Sequence, residues 1–329
     1  MSKLLVFKPN ITPGDMNPHF WPDFATFFNA PYAFAYEDSC FYYALSKDIP
    51  FNLLAIEEQK SKYTTLEDWI KNKFKATDIR PSLNQAGKFY KRMWHPSDYL
   101  SPELLISNPE SYTQSLVAIE ILIKKMNELF LTIQPTQNNV HVFGHKIREL
   151  LLLACMEVET SWKGVLKEHE YINNIKQRCT TNDYIKLLKP MCLANYTLAL
   201  RSYPNFPHFQ PFSCWSQNQP TKSLDWYNAY NNTKHDREAS LHEATLLNAI
   251  HSVGAVVVMF CAQFGIPQKQ SLFDIVISTF DISLEPCPER FYIPFRTNRD
   301  TDPDFSDSKY CFSVDKDTNI EESAMTTDT

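Results

Sequence analysis

"SLHEATLLNAIHSVGAVVVMFCAQFGIP", residues 240–267, decides the fold class. Leu246, Ile250, Val253, Val257 and Phe260 recur every three or four positions, the spacing of one helical face turned toward a core. Gly265 and Pro267 end the run with a C-cap glycine and a residue that cannot continue a helix. Its start is read at Ser240, where Glu243 three residues on completes a capping box. Gly254 beside Ala255 leaves room for a neighbouring helix to approach. The most apolar part, Val253 to Phe264, is shorter than the roughly 18–20 residues of a membrane span, so a buried core helix is expected.

Two further helices follow from the same periodicity. Leu116, Ile119, Ile123, Met126, Phe130 and Ile133 mark an amphipathic helix that "QPTQNN" at 134–139 stops. Ile147, Leu151, Ala154, Val158 and Val165 mark a second over residues 144–167. Shorter helices are expected after a cap at Thr181 or Asn182, and over 223–231. The fold class is therefore mainly α: a helical bundle over 108–267. Residues 1–107, rich in proline and aromatics, read as an irregular extension with one strand near Leu4–Phe7. Residues 268–314 read as a C-terminal appendage carrying a strand at "RFYIPF", and 315–329 as a disordered acidic tail.

Composition removes several function classes. The net charge of −6 is concentrated from Asp300 onward, where nine acids face two lysines, so the body is close to neutral. Such a body supplies no electrostatic field for nucleic acid, and excludes none as substrate. None of the six glycines forms G-x-G-x-x-G or G-x-x-x-x-G-K, which removes dinucleotide folds and P-loops. The eight cysteines are scattered with no C-x-x-C pair, and "MSKLLVFKPN" has no apolar signal core. These features predict reduced thiols, a cytoplasmic location and no membrane partner.

The chemistry-bearing residues crowd in front of the apolar run, in "WYNAYNNTKHDREASLHEATL" at 226–246. Asn231, Asn232, Lys234, His235, Arg237 and His242 fall within twelve residues, flanked by Trp226, Tyr227 and Tyr230. Cationic donors beside aromatic platforms suit single-stranded RNA, although Trp226 and Tyr230, four apart, also suit ordinary helix packing. Arg237 and His242 are five positions apart and would diverge on one continuous helix. A helix starting at Ser240 instead lets Arg237 fold back over His242, with first-turn N–H groups aimed between them at an anion.

This R-x4-H at the head of a bundle helix resembles the HEPN superfamily, small helical bundles many of which are metal-independent ribonucleases. The resemblance covers 108–265. "ACMEVETSWKGVL" and "WYNAYNNTKHDRE" also resemble bacterial proteins without an assigned activity. The resemblance implies Arg237 and His242 as catalytic residues, RNA as substrate, no cofactor, and a homodimer that brings two motifs together. It further implies a role in antiviral defence or as a toxin effector. Glu238 stands where the family commonly places Asn, Asp or His after the arginine. Around this pair, Asn231, Lys234, His235 and Tyr230 are candidates for substrate binding, and Glu159 or Glu157 for orienting His242. A reading of a different class is also open: a non-catalytic scaffold or sensor using the same bundle for dimerisation or partner binding.

Two other groupings have plainer readings. Arg148, Cys155 and Glu159 share a helical stripe, where a charged residue is usually paired by a neighbouring helix. His141, His145 and Glu149 have partial metal spacing, but Gly144 interrupts them and H-E-x-x-H is absent, so no metal is expected. "GKFYKRMWH" at 87–95 mixes bases with aromatics, a pattern of nucleic-acid surfaces and also of ordinary amphipathic turns.

Overall fold

The computed structural model describes residues 4–10, 32–36, 39–44, 52–58, 65–82, 88–89, 92–94, 109–169, 171, 177–266, 274–285, 287 and 306–307. Aromatic and branched residues early in the chain extend into strands rather than irregular structure. These are β1 (Leu5–Lys8), β2 (Ala33–Tyr36), β3 (Ser39–Ala44) and β4 (Asn52–Glu58), followed by helix α1 (Leu66–Phe74) and β5 (Thr77–Pro81). The five strands form one antiparallel sheet in the order β4-β3-β2-β1-β5. Thr65 caps α1 by accepting the Asp68 N–H, and Trp69, Ile70 and Phe74 pack on Leu5, Phe7, Ala33 and Ala35. The expected strand at Leu4–Phe7 is therefore one of five, and the irregular extension contains a sheet with its own apolar core. A further short strand β6 (Lys88–Phe89) pairs in parallel with β9 (Ser306–Asp307).

The rest of the described chain is mainly helical: α2 (Pro109–Phe130), α3 (His145–Glu168), α4 (Thr181–Tyr184), α5 (Asp225–His235), α6 (Arg237–Ser240), α7 (Leu246–Phe264) and α8 (Asp274–Thr279). Every stripe residue read from 147 to 165 is buried in α3, and the α2 stripe from Leu116 to Phe130 is likewise buried. The α4 cap is Thr180, one residue before the expected Thr181: its N–H and hydroxyl both donate to the Asp183 carboxylate.

Helices α2, α3 and α5 pack around α7. Its first N–H groups meet Val140 and Val142 just before α3, while Arg92 bridges Gly164 of α3 and Gln263 of α7 at the far end. Helices α3 and α7 therefore run parallel. Helix α2 runs the other way, with Lys125 paired to Glu149 and Tyr112 against Phe260 and Phe264. Helix α5 also opposes α3, because Tyr227 meets Glu159 while Thr233 meets Arg148. Helix α7 is 19 residues of composition and length that would cross a membrane, but 83% of its most apolar window is buried at the centre of this bundle.

Two strands close the bundle's other side. β7 (Tyr196–Leu200) pairs antiparallel with β8 (Phe280–Leu284) and buries Tyr196, Leu198 and Leu200. A Cβ on Gly254 would lie 2.6 Å from Phe209 and 2.9 Å from Leu198. The close approach that this glycine permits is thus to a strand and its flanking aromatic, not to another helix. Val276 and Phe280 belong to the bundle core, so part of the expected appendage is built into it. Cys192 and Cys287 form a disulfide that ties the turn before β7 to the residue beyond β8, against the expectation of unpaired thiols. Cys155, Cys179, Cys214 and Cys261 take part in no disulfide among the described residues. The expected strand at "RFYIPF" and the acidic tail lie outside the described residues.

Candidate functional site

The helix that carries the polar cluster is longer than its sequence pattern suggested. Helix α5 continues through Lys234 and His235 in its last turn, where the lysine's charge complements the helix dipole. Asp236 then breaks the helix and caps α6 by accepting the Ala239 N–H at 3.0 Å. A single 3-10 turn, Leu241–Glu243, leads to Thr245, whose hydroxyl accepts the Asn248 N–H and so caps α7.

This local folding corrects the capping box. Glu243 does not reach back to Ser240; its carboxylate accepts the Asn232 side-chain amide at 2.8 Å, and its carbonyl accepts from Asn248. The anion-binding role expected of the first helical turn also fails. The Leu246 N–H donates to the Val142 carbonyl at 2.8 Å and the Leu247 N–H to Val140 at 3.0 Å, while Asn248 is taken by Thr245. Main-chain donors already satisfied in this way cannot also stabilise a phosphate.

Arg237 and His242 thus stand on the short connector between α5 and α7, not on a bundle helix. Both side chains are exposed, and among the described residues neither makes a hydrogen bond or ion pair. Glu238, beside the arginine, is likewise exposed and forms no ion pair there. The connector itself is held firmly: Asn232 to Glu243, Asn248 to Glu243, Ala239 to Asp236, and the start of α7 to the segment before α3.

The supporting residues separate into two groups. His235 is exposed next to this connector, and Lys234 donates to the Tyr230 hydroxyl at 3.0 Å with its ammonium 5.0 Å from that ring's centre. That bond raises the Lys234 pKa; burial raises that of Tyr230, partly offset by the lysine. Asn231 turns back onto the Tyr227 carbonyl of its own helix, leaving its amide oxygen outside that bond. Glu159 is engaged elsewhere: one oxygen accepts the Tyr227 hydroxyl at 2.9 Å and the other accepts from Lys163 at 3.2 Å. It therefore braces α3 against α5 and does not orient His242. Burial and the adjacent Glu159 charge push the Tyr227 phenol far up, so it stays protonated and donating. Glu157 is half-buried, and desolvation raises its pKa.

Sequence reasoning missed two residues that hold the site. Arg148 donates through Nε and Nη2 to the Thr233 carbonyl, at 3.2 and 2.8 Å, gripping the end of α5. Glu243 was read as a helix cap rather than as the partner of Asn232. The aromatics flanking the cluster are core residues. Trp226 is buried with its Nε1 on the Pro211 carbonyl, and Trp162 lies stacked between Tyr184 and Trp215. Of these rings Trp226 is no platform for a base.

The remaining groupings are structural. Arg92 is partly buried, bonded to Gln263 and seated over Gly164, while Met93 is buried, so this part of "GKFYKRMWH" plugs the bundle's end. Glu149 is occupied by Lys125 and Lys146, with His141 and His145 exposed nearby. Among the described residues no group of three or more His, Cys, Asp or Glu side chains is arranged to hold a metal. No protein-family model matches this chain, and no curated protein or solved structure resembles it closely enough to count as a match.

Proposed function

We propose that the chain is a metal-independent endoribonuclease of the HEPN type, acting on RNA in the cytoplasm as a homodimer, in defence or as a toxin. One observation carries the reading: an arginine and a histidine, both exposed and unpaired, sit five residues apart on a connector fastened at both ends. A rigid support is what a functional side chain needs, and exposure leaves both groups open to a ligand outside the chain. His242 takes the proton from a ribose 2′-hydroxyl, whose oxygen forms a bond to the adjacent phosphorus. Arg237 stabilises the charge gathering on the phosphoryl oxygens. The bond to the 5′-oxygen then breaks, that oxygen takes a proton from water, and His242 returns the proton it holds to solvent. The products carry a 2′,3′-cyclic phosphate and a 5′-hydroxyl. Lys234 and His235 hold the neighbouring phosphate, and Asn231 meets a base edge with its amide oxygen.

Single-stranded RNA incubated with the protein in excess chelator is the test. Cleavage should persist with chelator and fall about 10²- to 10⁴-fold in His242→Ala, as removal of an acid–base group does. Arg237→Ala should lose comparable activity, and both variants should keep their thermal stability because both side chains are exposed. Cleavage that needs a metal, or survives both substitutions, contradicts the mechanism. The satisfied N–H groups at the start of α7 favour the second reading, a non-catalytic scaffold or sensor, because they remove one source of transition-state stabilisation. No RNA cleavage by folded protein selects that reading.

A further inference from the structure

The polar cluster carries hydrogen-bond donors, but the rings that flank it in sequence are not open to a base: Trp226, Tyr227 and Tyr230 are all buried. Among the described residues from 109 to 285, one phenylalanine, tyrosine or tryptophan stands open to solvent. It is Phe143, 51% exposed, and its ring meets no other ring among the described residues. A single exposed apolar side chain is ordinary on a protein surface. What sets Phe143 apart is where the backbone holds it.

The connector begins and ends on the same short stretch of chain. At its start, Arg148 grips the Thr233 carbonyl through Nε and Nη2. At its end, Phe143 pairs antiparallel with Thr245, and the Leu246 N–H donates to the Val142 carbonyl at 2.8 Å. Residues 233–245 therefore arch out from residues 143–148 and return to them. That hydrogen bond flanks the Phe143–Thr245 pair and does not join it. The pair is thus of the closer antiparallel kind, with Cα atoms about 4.5 Å apart and side chains on one face. His242 lies three residues before Thr245, and a chain spans at most about 3.6 Å per residue. The Cα atoms of Phe143 and His242 are therefore within about 15 Å, and the tight turn over Leu241–Glu243 shortens the path. Stacked nucleotides rise roughly 3.4 Å each, so a short run of RNA covers that distance.

We propose that Phe143 is the base platform of this site, its ring stacking on an unpaired nucleobase a few nucleotides from the phosphate that Arg237 and His242 hold. This placement rests on the nuclease reading for that phosphate and adds the form of the substrate. A base offered to a ring has to be free of a duplex, so the site takes single-stranded RNA. The charges around the arch fit a nucleic acid better than an apolar protein segment. Arg237 is exposed and makes no ion pair among the described residues. The acids nearby are mostly engaged: Asp236 accepts the Ala239 N–H, Glu243 accepts the Asn232 amide, and Glu149 lies between Lys125 and Lys146. Glu238 alone of the connector's acids has no such partner among the described residues. A ring beside an unengaged cationic donor holds a strand by its base and its phosphate together.

Fluorescence anisotropy with a short labelled RNA strand, 2′-O-methylated throughout, reads binding apart from cleavage, because no 2′-hydroxyl is left to attack phosphorus. The native chain should bind this strand. Phe143→Ala should weaken binding about 5- to 150-fold, the loss of one stacked base. Phe143→Leu keeps apolar bulk without a ring and should lose nearly as much. Phe143→Trp should bind at least as tightly as the native chain, and the strand should quench the emission of its added indole. Helicity by circular dichroism should be the same in all four proteins, and a duplex of the same sequence should not distinguish the native chain from Phe143→Ala. Equal binding of the single strand by the native chain and Phe143→Ala, full retention in Phe143→Leu, or no binding of the strand at all overturns the proposal. Unmodified RNA separates the two readings. Ring-dependent binding without cleavage removes the nuclease and leaves the platform; cleavage with binding unaltered in Phe143→Ala does the reverse.

Discussion

At the scale of single residues, His251 carries the clearest solution signature. Its ring stacks on Phe209 at 4.7 Å within the bundle, and burial lowers its pKa from 6.5 to about 4. Between those values the unfolded chain binds a proton that the folded chain refuses, so stability is full above about pH 6.5 and is lost as pH falls toward 4. The shift corresponds to about 3 kcal/mol. Denaturant unfolding at pH 7 and pH 4.5 should differ more in the native chain than in His251→Phe; equal acid sensitivity in both would refute the assignment. Glu243 gives a second prediction at this scale. Glu243→Ala removes the acceptor of the Asn232 amide, costing about 1 kcal/mol. It should speed amide exchange across residues 237–244, and an unaltered exchange rate there would mean that other contacts hold the connector. The identity of the polar cluster was legible in the sequence, because six chemistry-bearing residues fell within twelve. Their geometry was not. Asn232 and Arg148 act through main-chain and carboxylate partners distant in sequence, which periodicity does not encode.

At the scale of elements, the buried stripes of α2, α3 and α7 were readable because a 3.6-residue period imposed over 19 or more residues averages out local exceptions. Helix starts were less readable. Ser240 and Thr245 both offer a hydroxyl three residues before an N–H, and the structure uses Thr245 because the segment before α3 supplies carbonyls to the N–H groups of Leu246 and Leu247. The amino-terminal strands were hidden by short length and long intervening segments, so only β1 showed a local pattern. Gly254 illustrates what a glycine in a helix can mean. Helical geometry said that something comes close, and only tertiary structure says that it is Phe209 and Leu198. Gly254→Ala should gain up to about 1 kcal/mol of helix propensity but lose about 1–3 kcal/mol to overpacking, for a net destabilisation. Thermal unfolding of this variant above that of the native chain would show that β7 yields without strain.

At the scale of the whole molecule, the chain joins an amino-terminal sheet with its own core to a larger helical core. Arg92 and Met93 enter the helical core at the end opposite to the connector that bears Arg237 and His242. The mainly helical class follows from sequence periodicity. The sheet, the β7–β8 pair and the Cys192–Cys287 link depend on residues distant in sequence, 95 positions apart for the two sulfurs. End-group analysis of cleaved RNA tests the chemistry at the connector most directly. With an RNA carrying a single 2′-deoxy nucleotide, the native protein should cut elsewhere but never on the 3′ side of that nucleotide. Every upstream fragment should end in a 2′,3′-cyclic phosphate. Cleavage beside the deoxy position, or fragments bearing a 3′-hydroxyl and a 5′-phosphate, would contradict attack by the ribose 2′-oxygen and with it the role given to His242.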